Sequence, residues 1–600
     1  MEEKKYKLTD AIKILYSTSP LNFSLLVGYT VLNALIPAYQ TITIGLFIDT
    51  ALKIFNDNAP GKSIIVPAVL MLGSFIFINL MPPIMRLPEV ILRNKLEYKL
   101  HNQLIMKQMN LNYQHIENSD TLNLINRTYK NAVSSFMTIF STILNFTGIA
   151  INIVSLLIII MKYSYLVGLV IFMISIPLLY KSMGLGQEIY KMGIDVNKIK
   201  RRYQYLDKIL TSREFSTERN LFQFTRKLTD SYKELYDASY SIEKRALAKT
   251  FFNLKKGSII SLMLALIMIS LMLTSVYSHT ISIGICIGLT NAIFNLVQTM
   301  SWDLSNVAVE YAKAKEFILD FSEFATLSEK SDALALPSRN PAFKFASLEF
   351  KDVSFAYPNT KIQILKNCSF KLTGNKKYGF VGVNGAGKTT IVKLLTGMYD
   401  NYDGEILINN IELKKYSPAE LKGMIAVVFQ DFARYSTTIE ENIVNGDLNK
   451  KDVSFFNKVV SETGIKQLYK NLPQGVNTYL GKLKAESTDL SGGQWQRIAI
   501  ARLLYADAPI NILDEPTAAL DPFEESRIYR LLEKASQNNF SIYITHRLGI
   551  VKNLDCILVL DNGAICEQGS HGELMTKKGI YYDIYNSQLK WYKTGEKQHE

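Results

Sequence analysis

Apolar residues are unevenly distributed along this 600-residue chain: long charge-free stretches fill its first half, and short apolar runs alternate with polar turns in its second. A hydrocarbon layer about 30 Å thick is crossed by about 20 residues of helix rising 1.5 Å each, and six windows reach that length. No charge lies between Lys13 and Asp49, where the run 21–48 spans with residues to spare, and none lies between Lys62 and Arg86. Runs 132–161 and 163–180 are parted only by Lys162, which predicts a very short exposed turn. The last pair fills 258–302, divided near Tyr277, Ser278 and His279. The first run is far longer than the apolar part of a signal peptide. The connections between spans two and three and between spans four and five are long, charged and poor in Gly and Pro, so they are predicted to be helical extensions out of the membrane.

The pattern changes after Phe324. Residues 328–343, SEKSDALALPSRNPAF, hold two prolines and no helical stripe, and read as a linker. From about 346, LEFKDVSFAYP alternates apolar and polar positions as a half-buried strand does, and short strands and helices are predicted on to about 590. The expected organisation is a membrane domain at 1–327, a linker at 328–345, an α/β domain at 346–590 and a tail at 591–600, without internal repeats.

Charge orients this plan. Lys and Arg total 67 against 54 Asp and Glu, a formal net charge of +13. The two long connections carry Arg86, Arg93, Lys95, Lys99, Lys107, Arg127 and Lys130, and Arg201 with Arg202, while the other connections hold little beyond Lys53, Lys62 and Lys162. The positive-inside bias places both long loops and both termini in the cytoplasm. Basic and aromatic residues do not interleave on a compact module, so nucleic acid is not an expected partner. With 48% hydrophobic residues the chain is not disordered, and its four cysteines show no C-x-x-C spacing for zinc or for a disulfide framework. No charge falls within a span, which argues against ion-coupled transport. Asn33, Gln40, Asn145, Asn152, Asn291, Asn295 and Gln298, with Met263, Met268, Met272 and Met300, are candidates to line a cavity, or equally to pack helices together.

The strongest chemical signal is GVNGAGKTT at 382–390, directly after the apolar YGFV. Glycines at 382, 385 and 387 allow backbone N–H groups, including those of Asn384, Ala386 and Thr390, to converge on phosphate oxygens. Lys388 can reach the β- and γ-phosphates and the Thr389 hydroxyl can ligate Mg²⁺. In INILDEP, Asp514 stands where a carboxylate holds Mg²⁺ and Glu515 where one activates water; taken alone, such a pair also suits a helix cap.

Between these runs lies LSGGQWQRIAIAR at 490–502, and with it the chain resembles the ATP-binding cassette family. The resemblance implies an α/β P-loop cassette fused to an α-helical membrane domain of exporter type, binding ATP and Mg²⁺. It implies that Tyr357 stacks on adenine, that Gln430 meets Mg²⁺ and senses the γ-phosphate, and that Asp521 touches the opposite subunit. His546 is the implied switch histidine. Ser491, Gly492, Gly493 and Gln494 form the signature that closes on ATP held by a partner's loop, so a dimer is required, most simply of two identical copies. Residues 111–127 and 211–224 resemble the transverse helices that dock on cassettes in exporters. The wording of 429–443 and of SGGQWQR is similar to that of lantibiotic exporters, implying export of a modified antimicrobial peptide across a bacterial plasma membrane, with peptide-modifying enzymes as further partners. Lys482 replaces a residue usually acidic in this family. No cysteine precedes Cys286, so a thiol peptidase acting on cargo is not expected. Export of lipids or hydrophobic drugs, and a regulatory ATPase gating a channel or partner, are the alternatives.

Overall fold

The computed structural model describes residues 4–56, 59–163, 199–222, 224–277, 281–340, 342–374, 376–450, 452–470, 472–482, 486–515, 525–528, 540–545 and 548–596, with a few isolated positions between them. It divides into two compact units, one of residues 1–107 and 123–327 and one of residues 108–122 and 328–600.

The first unit is helical. A short helix α1 (Leu8–Thr18) buries Ala11 and Leu15 and ends at Ser19, where Pro20 opens α2 (Pro20–Phe55). Proline suits that first position because its missing N–H has no intrahelical partner to lose. Then follow α3 (Ile65–Asn110), α4 (Tyr113–Glu117), α5 (Ser119–Tyr163), α6 (Ser216–Leu221) and α7 (Thr225–Tyr277). Next come α8 (Ile283–Gln298), a π turn (Thr299–Asp303) and α9 (Leu304–Ala325). Three helices among the described residues are long and apolar enough to cross a membrane: Pro20–Phe55, Gly61–Asn110 and Ser119–Tyr163. The run 163–180 lies almost entirely outside the described residues, the fifth run forms the C-terminal end of α7, and the sixth begins as the shorter apolar α8.

α3 changes solvent along its length. Its N-terminal part exposes Ile65, Val66, Val69, Leu72, Ile76 and Leu80, a surface that suits hydrocarbon and not water. Further on, Leu92, Leu96, Leu100 and Leu104 are all buried at a spacing of four, the stripe of a helix that packs along one side. α2 and α8 approach closely because glycines line their contact. A Cβ added at Gly284 would stand 2.3 Å from the Gly45 carbonyl oxygen, and one at Gly288 would stand 2.3 Å from that of Thr41. Asp49 finishes the seam, accepting hydrogen bonds from the Ser282 hydroxyl at 2.5 Å and the Gly284 N–H at 2.8 Å.

Three readings gain detail from the described residues. Residues 111–127 are not one transverse helix: α4 stops at Glu117, and the Asn118 side chain accepts from the N–H groups of Asp120 and Thr121, capping the start of α5. In 211–224 a 3₁₀ turn (Arg213–Phe215) leads into α6, so that segment holds one short helical hook. The helix of the last span continues past Trp302 through the π turn into α9, so Asp303 follows on the same helix at the end of the span and lines a cavity of the membrane unit.

The second unit holds two sheets. β1 (Ser347–Ala356), β2 (Gln363–Thr373), β4 (Asp403–Ile408) and β5 (Ile411–Glu412) form an antiparallel sheet in the order β2-β1-β4-β5. β3 (Lys377–Val381), β6 (Ile425–Val428), β7 (Ile510–Asp514), β8 (Phe540–Ile544), β9 (Cys556–Asp561) and β10 (Ala564–Gly569) form the other, ordered β10-β9-β3-β8-β7-β6. From β9 to β6 every pairing is parallel. β7 and β8 are buried at every position, as strands covered on both faces are, which explains why INILD and FSIYI do not show the apolar–polar alternation of a half-exposed strand. Phe350, Phe370, Phe380, Ile391, Leu394, Ile512 and Ile542 belong to the core joining the two sheets to helix α10 (Lys388–Leu395).

Candidate nucleotide-binding site

Four neighbouring parallel strands, β3, β8, β7 and β6, end along one edge of the large sheet. The residues that follow them are the 382–390 loop, Thr545, Glu515 and Gln430. Ligands of open α/β sheets bind outside the carboxyl ends of such strands, so the topology gathers segments that lie far apart in sequence.

The loop between β3 and α10 owes its shape to glycine. Gly385 and Gly387 have φ of +83° and +108°, and a Cβ on Gly382 would lie 2.2 Å from the Leu560 carbonyl oxygen. Asn384 is exposed at the tip, while Ala386 and Gly387 are buried at the base. Lys388 is buried and its ammonium folds back, donating to the carbonyls of Gly382 at 2.8 Å and Val383 at 3.1 Å. Burial pushes its pKa down, with Glu515 and Asp514 opposing. The Thr389 hydroxyl donates to Asp514 at 3.1 Å. Asp514 is 1% exposed, and burial pushes its carboxyl up to about 6; the Thr389 hydrogen bond and Lys388 oppose this, while Glu515 and Asp431 add to it. Glu515 takes a left-handed backbone, φ +47°, and its N–H donates to the Ile544 carbonyl at 2.9 Å, tying the end of β7 to the end of β8. A non-glycine residue held at positive φ is uncommon and clusters at functional sites.

Tyr357 meets the same loop: its hydroxyl lies 3.0 Å from that of Thr390. Its ring packs edge-on against Phe355 and Tyr399, and the Lys393 ammonium stands 5.1 Å from its centre. Gln430 is exposed just past β6. Ser491 is the exposed N-cap of helix α11 (Gly492–Ala506), exchanging hydrogen bonds with Gln494 in a capping box, with Gly492 and Gly493 in the first turn. Among the described residues no hydrogen bond joins this turn to the 382–390 loop of its own chain. Asp521 and His546 lie outside the described residues. Lys482 pairs with Asp489 at 2.6 Å, two residues before the signature serine.

The resemblance pointed to 111–127 as a segment that docks on a cassette, but it did not specify the side chains that tie residues 108–122 into this unit. Glu117 accepts from Lys393 at 2.6 Å and also from the Tyr399 hydroxyl, while Tyr113 stacks edge-on against Tyr399. Lys393 and Tyr399 sit just after the phosphate loop and beside Tyr357. The available signal was the helix breaker Asn118 after an aromatic and acidic pair, which marks an independent short helix.

The ABC transporter family model matches residues 365–518. The subtilin transport ATP-binding protein SpaT of Bacillus subtilis is 28% identical over 586 residues, 97% of this chain and 94% of that protein. The nisin transport ATP-binding protein NisT of Lactococcus lactis subsp. lactis is 27% identical over 82% of each chain. An ATP-dependent lipid A-core flippase of Wigglesworthia glossinidia brevipalpis is 39% identical over 40% of this chain and 41% of its own length. The fold matches a bacterial Atm1-family ABC exporter solved with ATP bound, with a TM-score of 0.69 and 21% identity, covering 94% of this chain and 98% of that one. An α/β cassette with its phosphate loop, a helical unit with membrane-length apolar helices, and similarity that runs through both place the chain in the ATP-binding cassette exporters, as a half-transporter whose cassette hydrolyses ATP to drive transport.

Proposed function

We propose that this half-transporter exports a lantibiotic or related modified antimicrobial peptide from a bacterial cytoplasm, as a homodimer with both termini and the cassette on the cytoplasmic side. One observation carries the reading. The similarity to SpaT and NisT extends through the membrane unit, which must recognise cargo, whereas the flippase and the multidrug resistance protein pgp-1 of Caenorhabditis elegans match over 40% and 43% of the chain.

In this reading the 382–390 loop and Lys388 hold the phosphates of ATP, with Tyr357 against the adenine. The exposed first turn of α11 presents Ser491 and the N–H groups of Gly492 and Gly493 to ATP held by the second copy, the helix N-terminus favouring an anion. Glu515 positions and deprotonates the attacking water, Asp521 contacts the partner copy, and His546 reads the γ-phosphate. The residues present suit Mg²⁺: Asp514 is a buried carboxylate whose ionisation is opposed by burial and by two acidic neighbours, so a divalent cation restores the charge balance. Thr389, Asp514 and Gln430 would hold that ion, which neutralises phosphate charge during transfer.

Inside-out vesicles containing the protein, with ATP and a mature lantibiotic such as subtilin added to the outer solution, test the proposal. Uptake that stops in a Glu515→Gln variant is the expected result. Uptake of a fluorescent lipid or a hydrophobic dye, with none of peptide, would transfer the assignment to the lipid or drug exporters. ATP turnover without any uptake would favour a regulatory ATPase.

A further inference from the structure

A cavity of about 540 Å³ opens in the membrane unit between α2, α3, α5 and the α8–α9 helix. Ligand pockets commonly measure about 300–1,000 Å³, so this one takes a side chain or a few residues and not an entire peptide. Among the described residues its lining includes one carboxylate, Asp303, and no Lys or Arg.

The remaining lining is rich in acceptors. Asn33, Asn145 and Asn152 face it with Thr299 and Asp303. Among the described residues the buried Oδ1 of Asn152 has no hydrogen-bond partner, while its Nδ2 lies 3.4 Å from Asn295 Oδ1. Pro37, inside α2, has no N–H to give the carbonyl of Asn33 four residues earlier, which frees a backbone acceptor at the same wall. Thr299 and Asp303 open and close the π turn that separates α8 from α9, and such turns recur at functional sites. Among the described residues no Lys or Arg forms an ion pair with Asp303. A carboxylate on a membrane-unit helix is costly without a cation, and Asp303, with the Asn152 Oδ1 and the Asn33 carbonyl, offers acceptors that suit a positively charged hydrogen-bond donor. The position suits loading: the 20 steps from Ile283 to Asp303, at about 1.5 Å each, cover about 30 Å, one hydrocarbon thickness. Asp303 thus lies at the end of the span from which the helix continues towards the cassette in the chain.

We propose that this cavity is a cargo subsite that takes a primary ammonium group, a lysine side chain or peptide N-terminus, with Asp303 as counter-ion and Asn33, Asn145 and Asn152 as acceptors. The assignment deepens the export reading, because it names the part of a peptide the membrane unit grips.

The test measures binding to the full-length protein in lipid nanodiscs, separately from transport. The probes are dansyl-Leu-Lys-Leu-amide and the same peptide with its lysine Nε-acetylated, which removes only the charge. The cationic peptide should bind more tightly. Asp303→Asn should weaken it by about 10- to 100-fold, the range for losing a hydrogen bond to a charged group, leave the acetylated peptide alone, and be rescued by Asp303→Glu. Equal affinity for the two peptides, or equal weakening of both by Asp303→Asn, would overturn the subsite. If Asp303→Asn fails to give a monodisperse dimer, Asn152→Ala read with the same pair decides, with selective loss of the cationic peptide expected and unselective or absent loss refuting it. Failure of lantibiotic uptake with charge-selective probe binding intact would count against the peptide-export reading and not against the subsite.

Discussion

Glu515 occupies a backbone conformation that costs free energy, φ +47°, at the junction of two buried strands, and the water-activating role proposed for it would give a reason to keep it there. Changing Glu515→Gln should retain ATP binding and slow hydrolysis by about 10²- to 10⁴-fold; single-turnover assays beside a nucleotide-binding titration separate the two, and near-normal turnover would place the base elsewhere. Lys388→Ala should instead lose ATP affinity, read in the same titration, because the buried ammonium is the loop's own cation. The phosphate loop was legible in sequence because its function lies in the backbone: only glycine fits at +83° and +108° and against Leu560, so the requirement is written in residue type and spacing. Asp303 was not legible. Counting charge-free runs ends the last span at Trp302, and nothing in residue order reveals that a π turn brings the next carboxylate into line with Asn33 and Asn152.

At the scale of elements, two contacts make sharp predictions. The α2–α8 seam leaves no room for a side chain at Gly288, where a Cβ would stand 2.3 Å from the Thr41 carbonyl. Gly288→Leu should therefore force the helices apart, at a cost of about 1–3 kcal/mol or more, and lower the thermal unfolding midpoint in detergent; an unchanged midpoint would mean that the seam adjusts freely. The second contact joins α4 to the cassette through Glu117. Burial raises the Glu117 pKa, but the hydrogen bonds from Lys393 and Tyr399 outweigh it, and the folded value lies below 4.5. A carboxylate with a depressed folded pKa contributes stability above its unfolded value that is lost as pH falls through the folded one. This contact should therefore be indifferent to pH in the neutral range and fail only below about 4.5. Glu117→Gln removes the charge at every pH and should reduce the cargo-stimulated part of ATP turnover more than ATP affinity, a split that stimulated and basal assays on one preparation resolve. The family resemblance singled out 111–127 as a segment holding a transverse helix, but not where that helix ends, because the Asn118 cap acts through side-chain hydrogen bonds that an apolar pattern does not register.

At the scale of the molecule, two solvents explain why the broad plan was readable: hydrocarbon demands long charge-free helices, a water-soluble α/β domain shows short strands, helices and turns, and the chain passes from the first pattern to the second once, after Phe324. Assembly leaves a weaker trace, since the Ser491 turn is exposed and, among the described residues, unconnected to the phosphate loop of its own chain. An exposed capping box beside a glycine pair also occurs on ordinary helices, so the need for a second copy emerges only when signature and loop are both required for one ATP. Coexpression of two differently tagged forms, one Lys388→Ala and one Ser491→Arg, with purification through both tags, gives dimers in which this arrangement can be read. If each ATP lies between the loop of one copy and the signature of the other, one composite site carries both substitutions and the other carries neither, so one nucleotide per dimer should be trapped with vanadate. If loop and signature served the same ATP within a chain, both sites would be damaged and neither would trap. Trapping reports on each site by itself, so the outcome holds even if steady-state turnover requires two working sites.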